Sequence, residues 1–200
     1  MQNGENPINL CSFLALDTET TGLAGRKDTR LIEIAWVKGT FSSHDTETWQ
    51  YLIKPEGMLV PGKITELTGI TDEMLCTSGI PVCDAIAAFS AAVKTCDCVI
   101  AHNMSFDKTI LSDECCRLGI PDPLSQATLL CTMKAGGVYE RKQSPNSQKK
   151  RISLFDLYTS LFGSPPPVSH RALPDAISCA RCAFILAKSD TFPEGFVFCE

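Results

Sequence analysis

The segment Leu10–Leu16 (LCSFLAL) constrains this chain more than any other. It is apolar at almost every position and runs straight into Asp17-Thr-Glu19. A strand alternating polar and apolar residues can leave one face to water; this one has no polar face to expose. It therefore needs cover on both sides, which places it inside a sheet sandwiched between helices.

The rest of the pattern agrees. Leu31–Val37 (LIEIAWV) and Trp49–Ile53 read as two more strands, with Gly22, Gly25 and Gly39 in the connections. Pro61–Leu67 reads as a short helix stopping at Gly69. Val82, Ile86, Phe89 and Val93 recur at helical spacing. Cys98–Ala101 is a short strand, and Asn103 is placed to cap a helix carrying Phe106, Ile110, Leu111, Cys115 and Leu118. Leu129–Thr132 is a further strand, and Ser153–Phe162 a helix broken by Gly163-Ser-Pro-Pro-Pro167, which reads as a rigid link. Pro174 is expected to open a last helix running to about Lys188. Strands first and alternation afterwards predict an α/β fold with one mixed sheet.

At 200 residues, 44% of them apolar, the chain has material for one core. The expected organisation is a tail over 1–9, a domain over 10–190 and a tail over 191–200. Within the domain, residues 141–151 (RKQSPNSQKKR) hold five basic residues and no acid. That stretch reads as a solvated loop, with a mobile flap gripping phosphates as the sharper alternative.

A net charge of −5 argues against coating nucleic acid or anionic membrane by bulk charge, and leaves room for a local basic path. No apolar run is long enough for a membrane span, and MQNGENPINL has neither the basic start nor the apolar centre of a secretory leader. The expected location is therefore the cytoplasm or nucleus, not outside the cell. There the 11 cysteines are expected as reduced thiols acting as small buried hydrophobes. Cys179-x-x-Cys182 lacks the second Cys or His pair a zinc site needs.

Chemistry is concentrated in three places. Asp17 and Glu19 are two apart on a strand, so they project to the same face at one end of the core. Two carboxylates there are costly unless a cation compensates them, and hard divalent ions with oxygen ligands do so. Asp107 follows the strand ending at Ala101, within the first turn or so of a helix, where an acid is favoured by the dipole anyway. His170 and Asp175 frame the start of the last helix: a loop His can swing while a helical acid stays put. That is the division of labour of a general base beside a fixed metal ligand.

Leu14–Leu23 (LALDTETTGL), Ala101–Asp107 (AHNMSFD) and His170–Ala176 (HRALPDA), in this order, resemble the three motifs of the DEDDh branch of the DnaQ-like exonucleases. That branch belongs to the ribonuclease H-like superfamily. Ile64–Leu75 (ITELTGITDEML) resembles the segment between the first two motifs, so the likeness covers about residues 10–190. It implies a five-stranded mixed β-sheet with helices on both faces, and 3′→5′ release of nucleoside 5′-monophosphates with two Mg²⁺ or Mn²⁺ ions. It implies metal ligation by Asp17, Glu19, Asp107 and Asp175, with Asp17 bridging both ions, Asp107 assisting the second, and His170 as general base. Thr18 and Leu23 match positions meeting the terminal nucleotide. Pro174 departs from the polar or acidic residue usual before the last Asp, and fits a helix start. The implied partner is nucleic acid, DNA or RNA, with a free 3′ end; relatives occur as dimers and as polymerase subunits.

Neighbouring residues carry two readings each. His102 is a hydrogen-bonding residue of its turn or a substrate contact. Phe106 is core or stacks on a base. Glu33, the lone acid of LIEIAWV, is a partly solvated sheet position or orients a nearby backbone or substrate hydroxyl. Two other functions stay in view: a catalytically weak nucleic-acid-binding or polymerase-associated module, and a two-carboxylate glycosidase, which would need neither the His nor the additional acids.

Overall fold

A computed structural model of the chain describes residues 8–54, 56–144, 150–167 and 170–199. In chain order the elements are β1 (Ile8–Leu10), β2 (Ser12–Thr20), β3 (Leu31–Thr40), β4 (Thr46–Leu52), α1 (Gly62–Thr68), α2 (Asp72–Ser78), α3 (Val82–Val93), β5 (Cys98–Ala101), α4 (Met104–Leu118), β6 (Leu129–Cys131), α5 (Thr132–Gln143), α6 (Leu154–Phe162), α7 (Ala172–Ala187) and β7 (Phe196–Phe198). The main sheet has five strands in the order β4-β3-β2-β5-β6. β2 is its centre, antiparallel to β3 and parallel to β5, so the sheet is mixed as expected.

Both faces of β2 are buried because alternate residues feed two separate cores. Leu14 and Leu16 join Ile34, Trp36 and Val99 against α3 and α4, through Phe89, Ile110 and Leu111. Phe13 and Ala15 join Val37, Ile100 and Leu130 against α7. Each large side chain fully withdrawn from water there contributes about 1.5–3 kcal/mol. The face of α7 on the sheet is made of Ala176, Cys179, Ala180 and Ala183. These small side chains let the helix lie close to β2, which brings the start of α7 to the end of that strand.

The structure corrects several expectations. The expected strand from Leu10 is split: Leu10 ends β1, and β2 runs from Ser12 to Thr20 with Asp17 and Glu19 on it as expected. α7 starts at Ala172 with Arg171 as its N-cap, two residues before Pro174. Proline is tolerated at the third helical position because no backbone acceptor awaits its N–H there. Asn103 does cap α4, but in a left-handed conformation (φ 72°) and without a side-chain bond to the helix. The tail expected after residue 190 contains β7, which pairs in parallel with β1, and Cys11 and Cys199 are joined by a disulfide. For that pair the expectation of reduced thiols fails. The C-terminal aromatics supply the reason the ends meet: Phe198 packs on Phe41 and Phe192, covering one end of the core.

Two helices escaped the periodicity. α2 is announced by Thr71, whose hydroxyl accepts from the Met74 N–H, and by Asp72 and Glu73 in the first turn. α5 is disguised by Gly136 and Gly137, each costing about 1 kcal/mol of helix propensity. A Cβ at Gly136 would lie 2.8 Å from Ile152 and Leu157 side-chain carbons, and one at Gly137 2.5 Å from the Lys150 carbonyl. The pair is there for close approach, not flexibility. It also shortens the expected basic loop: Arg141 and Lys142 belong to α5, and Lys142 donates to the Ser189 and Asp190 carbonyls. Lys150 and Arg151 are exposed, and residues 145–149 lie outside the described residues.

Candidate active site

Strand parity decides which carboxylates meet. Asp17 and Glu19 continue the Phe13, Ala15 series and point to the α7 face of the sheet. Asp175 sits in the first turn of α7. One oxygen from each of Asp17, Glu19 and Asp175 lies within 4.8 Å of the others. Opposite Asp17 in the register stands fully buried Ala35, whose small side chain leaves room for the cluster.

Asp107 reaches β2 from the other side. It is buried in the first turn of α4, and its Oδ1 accepts the Thr18 hydroxyl at 2.8 Å. Thr18 follows the Leu14, Leu16 parity. Among the described residues the tight cluster is therefore three carboxylates, with Asp107 beside Asp17 and not inside it. Buried Thr18 serves as a hydrogen-bond donor to Asp107 and presents little surface of its own.

A second layer lies behind the cluster. Glu33 pairs with Glu19 across β2 and β3, so it faces the same helix. It is not partly solvated: its exposure is 0%. Its Oε1 accepts Arg171 Nη2 at 2.6 Å and Gln50 Nε2 at 2.7 Å. Its Oε2 accepts Arg171 Nε at 3.1 Å and the Ala172 N–H at 2.9 Å. One carboxylate thus neutralises the N-cap residue of α7 and satisfies the first helical N–H. Glu33 does orient a backbone, and that backbone carries Asp175. A lone acid in a buried strand and an Arg beside a motif histidine were the available signals, since a buried acid needs a cation. Nothing in the sequence showed that the two meet.

The cluster is short of positive charge. Burial first, then Asp107, Asp175, Glu19 and Glu33, hold the Asp17 carboxyl well above its usual range. Burial followed by Glu33, Asp175 and Asp107 raises Glu19 to about 7, with Arg171 opposing. Burial raises Asp107 to about 7 against the Thr18 hydrogen bond. Burial also raises Asp175, opposed by the His170 backbone N–H. Among the described residues no Lys or Arg forms an ion pair with Asp17, Glu19 or Asp175. Convergent carboxylates that resist ionisation are a donor set for a hard divalent cation.

His170 stands at the rim. It is exposed, adopts φ 63°, and donates its backbone N–H to Asp175 Oδ2 at 2.9 Å. Leu23 projects into solvent just beyond β2, 64% exposed. Phe106 is half-buried and packed against the α3–α4 core. His102 is spent inside the protein: Nδ1 lies 3.0 Å from the Thr132 hydroxyl and Nε2 2.9 Å from the Ile152 carbonyl. Both ring nitrogens are engaged within the protein, and burial lowers its pKa to about 4.

The sheet order, its two helical layers and an acid cluster at the end of the central strand define a ribonuclease H-like fold with a cation-seeking site. Residues 14–182 match the RNase_T family model, described as an exonuclease. The chain belongs to that family, among the DnaQ-like exonucleases. It is 32% identical over 172 residues to DNA polymerase III subunit epsilon of Treponema pallidum, covering 84% of this chain and 73% of the relative. Against human three-prime repair exonuclease 1 it is 30% identical over 133 residues, 60% of this chain and 42% of that one. A solved full-length 3′-exonuclease superposes with a TM-score of 0.75 at 17% identity, over 94% of this chain and 64% of that chain. A second, a 3′-exonuclease recognising a histone mRNA stem-loop, gives 0.74 at 15% identity, over 92% and 84%. The chain thus spans less than half of the human relative and under two thirds of the first solved structure. No helix among the described residues is long and apolar enough to cross a membrane.

Proposed function

We propose that this chain is a metal-dependent 3′→5′ exonuclease of the DEDDh type, removing nucleoside 5′-monophosphates from the 3′ ends of DNA or RNA. The observation that carries the reading is the meeting of Asp17, Glu19 and Asp175 oxygens within 4.8 Å, in a chain of the exonuclease family. Asp17, Glu19 and Asp175, with Asp107 assisting, would hold two divalent ions, Mg²⁺ or Mn²⁺. Bound there, the ions would supply an acidified water and charge neutralisation at the departing 3′ oxygen.

The side chains do the rest. His170, exposed next to Asp175, takes the proton of the attacking water. Leu23 offers an apolar surface to the terminal nucleotide. Thr18 fixes the rotamer of Asp107, and Glu33 with Arg171 fixes the start of α7. The unit that works is residues 10–190 together with β7. The substrate is a strand with a free 3′ end; the name of the Treponema relative supports a replication polymerase as a protein partner, and a second copy of the chain is the other arrangement this reading admits.

The test is a panel of 5′-labelled single-stranded DNA, duplex DNA and single-stranded RNA, incubated with Mg²⁺, Mn²⁺ or EDTA. A ladder shortening one nucleotide at a time from the 3′ end, abolished by EDTA, is expected. Cleavage that survives EDTA, or no shortening of any substrate with either metal, defeats the reading.

A further inference from the structure

Between the β2–β3 connection and α4 lies a cleft of about 460 Å³, lined by Arg26, Lys27 and Arg30 on one side and Asp113, Glu114 and Arg117 on the other. It opens at the same end of the sheet as the carboxylate cluster. Leu31 begins β3 opposite Thr20, one residue past Glu19, and its N–H donates to Glu114 Oε1 at 3.1 Å to form the floor. Along α4, Arg117 is ten residues from Asp107, about 15 Å of helix. The cleft lies on the α4 side of the sheet, the side from which Asp107 reaches Thr18, and its nearest α4 residue, Asp113, is six residues, about 9 Å of helix, from Asp107.

Its walls are built. The Thr21 N–H donates to the Arg30 carbonyl, and the Arg30 N–H to the Thr21 hydroxyl, which closes the connection at its base. Arg30 Nη1 donates to the Lys27 and Thr29 carbonyls, at 2.9 and 2.8 Å, so its guanidinium is held by backbone with no carboxylate. Arg117 is neutralised by Glu114 and Glu56 and acts as wall. Among the described residues, Arg26, Lys27 and Arg30 make no ion pair. Within residues 26–30 these three cations outnumber the one acid, Asp28, and Asp113 faces them from α4, which leaves a local excess of positive charge in a chain of net charge −5. Their loop also carries exposed Leu23, whose carbonyl accepts the Thr29 hydroxyl at 2.7 Å.

The geometry points to this cleft as the path of the substrate strand, gripping through Arg26, Lys27 and Arg30 the phosphates upstream of the scissile one. The assignment rests on the exonuclease reading and adds where the rest of the strand runs. Cations along one wall recognise a phosphodiester backbone regardless of base, because the gain comes from counterion release. This is the local basic path that an acidic chain needs, on a different segment from the basic stretch at 141–151.

The test is the double variant Arg26→Ser/Lys27→Ser; both side chains are exposed and outside the carboxylate site. Two substrates separate the cleft from the chemistry: a single strand of about ten nucleotides, and the p-nitrophenyl ester of thymidine 5′-monophosphate, which has no upstream phosphate. For the strand, KM should rise roughly fivefold, the worth of two exposed ion pairs, with kcat unchanged. The slope of log KM against log salt should fall by about 1.4, or ~0.7 for each phosphate released. Hydrolysis of the ester should not change. An unaltered KM and salt slope for the strand, while the ester is still cleaved, overturns the cleft assignment alone. If the parent protein cleaves neither substrate, the exonuclease reading fails and the cleft assignment falls with it.

Discussion

Glu33→Gln is the substitution with most to say about how the site is held. It keeps the shape of the side chain and removes one charge. Both carboxylate oxygens face donors only: Oε1 meets Arg171 Nη2 and Gln50 Nε2, and Oε2 meets Arg171 Nε and the Ala172 N–H. Whichever oxygen becomes an amide NH₂, it opposes a donor. The Arg171 guanidinium also loses its counter-ion. Breaking a buried pair from one side costs about 3–5 kcal/mol, and Arg171, at 28% side-chain exposure, can recover part of that from water. We expect urea denaturation to show a loss of about 3 kcal/mol. Because the Ala172 N–H opens the helix bearing Asp175, kcat should fall with little change in KM. Replacing Glu33 and Arg171 together by Met should cost less than the sum of the single changes, since no charge is left stranded. A Glu33→Gln protein within about 0.5 kcal/mol of the parent, with the same kcat, would refute the argument that this pair positions α7.

Other outcomes follow from the same geometry. Asp17→Ala should abolish cleavage while nucleic-acid binding persists in a gel-shift assay, and His170→Ala should slow turnover on the order of 10²–10⁴-fold, the usual worth of a general base. Gly136→Ala should destabilise by about 1–3 kcal/mol despite better helix propensity, because its Cβ lands 2.8 Å from Ile152 and Leu157; an unchanged urea midpoint would contradict the packing of α5. The raised Glu19 carboxyl fixes a pH dependence in EDTA. Its contribution to stability is fully present below its ordinary value of 4.5 and is lost as pH rises through about 7, some 3 kcal/mol in all. Asp17 and Asp175 act in the same direction. Mg²⁺ or Mn²⁺ should restore the urea midpoint above that range and do little at its acid end; a flat profile in EDTA would contradict the electrostatics.

How much of this was readable beforehand depended on whether a signal was local. The burial of β2 on both faces followed from seven consecutive residues, and the shared direction of Asp17 and Glu19 followed from strand parity. The same parity also separates Asp107 from them, because Thr18 faces α4, but that required knowing which helix covers which face. Glu33 and Arg171 are 138 positions apart, and no local pattern joins them. α5 was hidden because Gly136 and Gly137 obey a tertiary demand that outweighs helix propensity. β1 and β7 are three residues each and exist only because the chain ends meet. His102 was ambiguous for a related reason: its partners, Thr132 and Ile152, lie 30 and 50 residues away.

The most direct measurement is anomalous diffraction from crystals soaked in Mn²⁺ together with an uncleavable phosphorothioate oligonucleotide. Manganese density is expected at oxygen-ligand distance, about 2.0–2.2 Å, from Asp17, Glu19 and Asp175, with the 3′-terminal phosphate beside it. Manganese bound elsewhere, or an oligonucleotide whose 3′ end lies away from these three side chains, would contradict it.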